Sequence, residues 1–275
     1  MAPPAIHCMQ GRLLPPEPGR FQAFPPERWR DELELAPSAG VEGIEWIYEE
    51  HGRDRNPLGS DEGLAALDEV RARMGVVVES LCADWFMDRP LLADVADGVE
   101  RLRWLCGRAA AAGISRIVMP FVDASDLRGP DDVDALVAAL DGFDASRGVE
   151  IHLETSLDPS AFAALLSRLP DPPFKANYDT GNSASLGYDP EEELAAYGSR
   201  IGSVHVKDRV RGGGTVPLGE GDASIETVFE LLQRLGWDRP LVLQAARGPD
   251  GHEVETVARQ AELVRSMWSR SRAAA

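Results

Sequence analysis

A (β/α)8 barrel is the fold this sequence predicts, and three observations predict it. Eight short apolar stretches alternate with eight longer amphipathic ones across 275 residues, the pattern of a parallel sheet with helical cover. No Gly-x-Gly-x-x-Gly follows the first apolar stretch, which argues against an open dinucleotide-binding sheet. No linker-like change of composition divides the chain, so residues 1–275 are expected to form one domain.

The elements follow in order. Ala5–Met9 is an apolar strand, and the Gly and Pro content of Gln10–Pro16 makes a loop. Pro26–Ala39, with Trp29, Leu33 and Leu35 among acids, reads as a helix. Gly43–Ile47 is a strand, and the polar run Tyr48–Ser60, with Asn56-Pro57, is a long loop. Asp61–Arg73 is a helix capped by Ser60 or Asp61, and Gly75–Leu81 is a buried strand. Leu91–Ala112 is a helix ended by Gly113. Ser115–Met119 is a strand stopped by Pro120. Asp131–Ser146 is a helix, Val149–Glu154 a strand, Pro159–Arg168 a helix and Phe174–Tyr178 a strand. Pro190–Tyr197 is a helix and Ile201–Val206 a strand. A glycine-rich loop then leads, with Asp222 as a helix cap, into the helix Ser224–Leu235. Pro240–Gln244 is the last strand and Glu253–Ser269 the closing helix.

Composition narrows the partners. The net charge of −18 disfavours nucleic acid and anionic membrane surfaces. There is no apolar run of membrane-spanning length, and no basic or long apolar stretch near Met1, so no secretory leader is expected. Three scattered cysteines, Cys8, Cys82 and Cys106, have no zinc spacing and fit a reducing cytoplasm.

In such a barrel the chemistry lies at the C-terminal strand ends. Glu154, Asp179, His205 and Gln244 end the fifth, sixth, seventh and eighth strands. Two carboxylates and an imidazole converging there could hold Mn2+, Mg2+, Co2+ or Zn2+. His7 and His152 lie inside strands and read as core or supporting residues, whereas His51 and His252 read as solvated. Arg12 and Arg211 could pair with a phosphate or acid group. Asp84 could bond a hydroxyl, and Trp46, Trp85 and Phe86 could either stack on a sugar or pack the core.

The ordered motifs resemble a known family. His205-Val-Lys-Asp208 with Val216-Pro-Leu-Gly-Glu-Gly-Asp222 is similar to the sugar phosphate isomerase/epimerase group of the xylose isomerase-like (AP endonuclease type 2) barrels. Gln10-Gly-Arg-Leu13, Gly43-Ile-Glu-Trp46, Cys82-Ala-Asp84, Glu154 and Asp179-Thr-Gly-Asn182 extend the resemblance over nearly the whole chain. It implies a divalent metal held by Glu154, Asp179, His205 and an eighth-strand Glu, with the two glutamates moving protons on opposite faces of a ketose. An Arg six residues after the His, a substrate contact in related epimerases, matches Arg211. Asn182 stands where a histidine is often found.

The chain departs from that pattern at Gln244, which stands where the second Glu is expected. An amide oxygen can ligate a hard cation but cannot act as a base. One-base chemistry then rests on Glu154, with Lys207, Glu45 or water supplying the second proton. The expected activity is isomerisation or epimerisation of a small ketose, sugar phosphate or cyclitol. The alternatives are a lyase on the same parts and a metal-poor sugar-binding relative. Five histidines and the acidic charge argue against a multi-zinc nuclease. Barrels of this kind often pair, which leaves a homo-oligomer open.

Overall fold

The computed structural model describes residues 3–145 and 148–271. Its eight strands are Ile6–Met9, Gly43–Ile47, Ser80–Cys82, Arg116–Phe121, Glu150–Thr155, Phe174–Asp179, Ile201–Val206 and Leu241–Leu243. They close into one all-parallel barrel in which the first strand pairs with both the second and the eighth. Each strand is followed by helical cover, so both faces of the sheet are shielded and the strands read as apolar runs.

Side-chain parity does the rest. Successive residues of a strand alternate between the barrel interior and the helical layer. Asn177 pairs in register with Ser203, Asp179 with His205, and Pro120 with Glu154. These residues therefore face inward together, while Ala176, Tyr178, Val204 and Val206 face the helices. All four of those outward residues are buried.

Most element expectations hold to within a residue or two, and the departures have local causes. Pro120 does not stop the fourth strand, which runs on to Phe121. The third strand is shortened to Ser80–Cys82, with Val77 left exposed and joined to Gly43 only by an isolated bridge. The expected helix over 26–39 begins at Trp29. It tightens to a 3-10 turn at Ala36–Ala39, where Pro37 removes an amide donor. The expected helix over 91–112 is broken by Asp94, whose side chain caps Val95–Ala111 by accepting from Asp97 N at 3.2 Å. The expected helix over 131–146 is observed as Pro130–Leu140, and its expected end at Ser146 lies outside the described residues.

Three short elements at the barrel mouth carry no strong sequence signal. Trp85–Asp88 and Thr180–Leu186 are helices, and Asp208–Arg209 pairs antiparallel with Thr215–Val216 in a hairpin. Asp222 pins this hairpin by accepting from Arg211 N at 2.7 Å, so it is not the cap of the following helix, which starts at Ile225.

Candidate active site

At the mouth lies a cavity of about 460 Å³ whose lining includes Glu154, Asn182, Lys207, Gln244, Gln22, Asp84 and Asp123. Glu154, Asp179 and His205 converge at its floor. One donor atom from each lies within 4.8 Å of the others, and this is the one such cluster among the described residues.

His205 organises the floor. Fully buried, its Nε2 lies 2.7 Å from Glu45 Oε1. With Nε2–H donated to Glu45, Nδ1 lies 3.2 Å from Asn177 Nδ2, 3.6 Å from Glu154 Oε2 and 3.9 Å from Asp179 Oδ2. A carboxylate behind a histidine is the arrangement that fixes the tautomer of a metal-ligating imidazole. Burial opposes the imidazolium, but Glu45, Glu154 and Asp179 outweigh it and push His205 up to about 9. Glu154 is also shifted upward, which for a carboxyl favours the neutral form. Burial and the neighbouring Asp179 charge raise it to about 7, near the operating range of a general base.

Each carboxylate is oriented by neighbours that parity supplies. Asn177 Nδ2 donates to Glu154 Oε2 at 2.8 Å, and Ser203 Oγ donates to Asn177 Oδ1 at 2.6 Å. Asn182 Nδ2 bonds Glu154 Oε1, and Asn182 Oδ1 accepts from Arg209 at 3.0 Å. Asp179 doubles as the cap of the helix Thr180–Leu186, its Oδ1 accepting from the amides of Gly181 and Asn182 at 2.9 Å each. Its Oδ2 is left for the site and lies 2.8 Å from Lys207 Nζ. Lys207 also donates to Gln244 Oε1 at 2.9 Å. Gln244 in turn donates to Gln22 Oε1 at 2.9 Å, and Gln22 donates to Asp84 Oδ2 at 3.0 Å.

The residues singled out from sequence fall into three groups. Glu154, Asn182, Lys207, Gln244 and Asp84 line the cavity, with Asp179 and His205 at its floor. Glu45 sits behind His205, away from the cavity. Arg12 and Arg211 point elsewhere. The Arg12 guanidinium is buried over the Phe21 ring and reaches the site only through Gln22, at 3.4 Å. Arg211 is exposed and lies against Gly187, where a Cβ would come within 2.5 Å of its Nε. The hairpin instead aims Arg209 into the cavity. Trp46, Trp85 and Phe86 are core residues outside the cavity lining. His51, expected in solvent, is half-buried with Nε2 3.7 Å from Glu17. Sequence reasoning missed Gln22, which lies in the long connection after the first strand, and Arg209, which lies in a short hairpin without a sequence signal. It also missed Asn177 and Ser203, whose signal was available: each sits two residues before a strand-end ligand candidate, on the same face.

A family model described as xylose isomerase-like TIM barrel matches residues 33–267. The chain belongs to that family. It is 29% identical over 235 residues to the L-ribulose-5-phosphate 3-epimerase UlaE of Salmonella paratyphi A, covering 79% of this chain and 82% of the relative. Among solved structures, the fold matches D-allulose 3-epimerase from Methylomonas sp. in complex with D-allulose, with a TM-score of 0.71 and 17% identity over 97% of this chain and 98% of the other. It also matches a xylose isomerase-like TIM-barrel protein from Mycobacterium smegmatis in complex with magnesium, at TM-score 0.68 and 17% identity over 98% and 97% of the two chains. No described helix is long and apolar enough to cross a membrane.

Proposed function

We propose that this protein is a sugar isomerase or epimerase that moves a proton next to the carbonyl of a small ketose or ketose phosphate. The observation that carries the reading is Glu154. Its carboxylate lines the cavity, is locked by Asn177 and Asn182, and is raised to about 7 by burial beside Asp179. Such a group can accept a carbon-bound proton near neutral pH. The epimerase relatives agree in reaction class.

Glu154, Asp179 and His205 fit a divalent cation. Their donor atoms are clustered and buried, and Asp179 Oδ2 accepts no aligned hydrogen bond from any described group. When bound, such an ion would supply the polarisation of a carbonyl that makes the neighbouring C–H acidic. Glu154, Asp179 and His205 would hold it, while the Gln244 amide oxygen accepts from Lys207 and takes the ammonium in place of the ion.

The chain's own residues divide the remaining work. Glu154 takes the proton on its side of the cavity. Lys207, whose Nζ faces the cavity from the Gln244 side, is the second proton donor, because Gln244 itself can neither give nor take one. Glu45 is spent on His205 and serves as its orienting partner. Asp84, Asn182, Gln22 and Arg209 bind substrate hydroxyls or an anionic group.

The test is deuterium wash-in from D2O at the carbon beside the carbonyl, using L-ribulose 5-phosphate, D-allulose and unphosphorylated L-ribulose with Mn2+, Mg2+ or Co2+ present. Exchange with at least one ketose is expected. Glu154→Gln should lower it by about 10²–10⁴-fold. No exchange across the panel, or exchange untouched by Glu154→Gln, would sink the reading.

A further inference from the structure

The floor of the site has one oxygen with two claimants. Asp179 Oδ1 is committed to two backbone amides, so Oδ2 is the atom this residue has left to offer a cation. The same Oδ2 lies 2.8 Å from Lys207 Nζ. That contact is close but is not aligned as a hydrogen bond, whereas the bond from Nζ to Gln244 Oε1 at 2.9 Å is. We propose that Lys207 is a built-in competitor for the cation position: its ammonium covers Asp179 Oδ2 while bonded to Gln244 Oε1, and a divalent ion displaces it from Asp179, leaving it held by Gln244 and turned into the cavity. The inference rests on the metal-site reading above.

Three features make the exchange mechanically simple. The backbone of Lys207 is clamped, with its N donating to Thr180 Oγ1 at 3.0 Å and its carbonyl accepting from the same hydroxyl. The aliphatic stem lies against Gly181, where a Cβ would stand 2.7 Å from Lys207 Cγ. Only the end of the side chain is therefore free to swing, and Gln244 Oε1 offers it a bond to keep. A carboxylate at 244 would bind the ammonium harder. The neutral amide holds Lys207 within reach of Asp179 without trapping it, which gives the departure at 244 a role. Two cations sharing one carboxylate oxygen repel strongly, so joint occupancy is disfavoured.

Lys175 and Lys207 are the only lysines in the chain, which makes the test clean. Lys175 is paired with Asp171 at 2.8 Å, remote from the site, and serves as the internal reference. The wild-type protein, stripped of metal and then saturated with Mn2+, is treated with limiting acetic anhydride, and the two lysines are quantified by mass spectrometry. Lys207 acetylation should rise several-fold on Mn2+ saturation while that of Lys175 stays constant. By calorimetry, Lys207→Met should bind Mn2+ at least about tenfold more tightly than wild type. Saturation of wild type with Lys207 acetylation unchanged or reduced would overturn the proposal even if the variant binds tighter, because the charge would then act through space alone. Variant affinity equal to or weaker than wild type would also overturn it. Mn2+ uptake by the Met variant alone would support it, with Lys207 outcompeting the ion in wild type. Uptake by neither protein would defeat the metal-site reading itself, and this inference with it.

Discussion

Two layers of one barrel interior hold histidines in opposite states. In the lower layer His152 is fully buried, with Nε2 3.0 Å from Glu150 Oε2 and Nδ1 2.8 Å from Ser203 Oγ. Burial there outweighs the pull of Glu150, helped by the positive charges of Arg116 and Arg239, and His152 falls to about 4. In the upper layer His205 is as deeply buried, yet Glu45, Glu154 and Asp179 outweigh the burial, so it rises to about 9. The two layers touch through Ser203 and Asn177. Depth alone therefore does not set charge state in this barrel. The sign and number of neighbouring charges do, and the layer in which three carboxylates surround the histidine is the one that opens into the cavity.

That contrast can be attacked from the top down. Glu45→Gln keeps an acceptor for His205 Nε2 but removes the charge. Its expected effect is about a 10–100-fold weakening of Mn2+ affinity by calorimetry. An unchanged affinity would mean that His205 is no ligand, or that Glu45 merely packs beneath it. Lower-layer changes should spare affinity and reduce stability. Gly202 has no room for a side chain, since a Cβ would meet the His152 ring at 2.5 Å. Gly202→Ala should therefore cost about 1–3 kcal/mol in urea unfolding, with Mn2+ affinity held within about twofold. A variant that unfolds normally but loses the ion would erase the division between layers.

The smallest expected effect is a change of pH slope. Burial alone would raise the Glu150 carboxyl, but His152 and Arg239 outweigh it and hold the group well below the usual carboxylate range. Its folded-state value lies below its unfolded one, so its contribution is present above the unfolded value of about 4.3 and is lost as pH falls. Glu150→Gln should narrow the loss of urea midpoint between pH 6 and pH 3.5 relative to wild type. An identical slope in both proteins would show that the lower-layer ion pairs do not govern the acid limb.

The strand ends were readable because a barrel gives them fixed parity and direction. Asp179 pairs in register with His205, Glu154 lies near the end of the neighbouring strand, and alternation along each strand places all three on the inner face. The same rule reaches Asn177 and Ser203 once a site is assumed above them. Irregular segments gave no such handle. Whether Arg209 or Arg211 enters the cavity depends on where a hairpin turns, and the turn is set by Asp222 accepting from Arg211 N and Asp208 accepting from Gly219, Gly221 and Ala223. Gln22 lies in the long connection after the first strand. It is brought over the site by Arg247, which donates to the carbonyls of Gly11, Leu14 and Phe21, and by Glu49, which accepts from Phe24 N.

From the sequence alone, then, came the barrel, its polarity, the strand-end ligand candidates and the break at Gln244, because hydrophobic period and strand order are local properties of a chain. Tertiary structure alone decided which carboxylate orients His205, which arginine faces the cavity and that Lys207 shares Asp179 Oδ2 with any incoming cation. Those are distances between residues dozens of positions apart, and a carboxylate's role follows from what lies within a few ångströms of it.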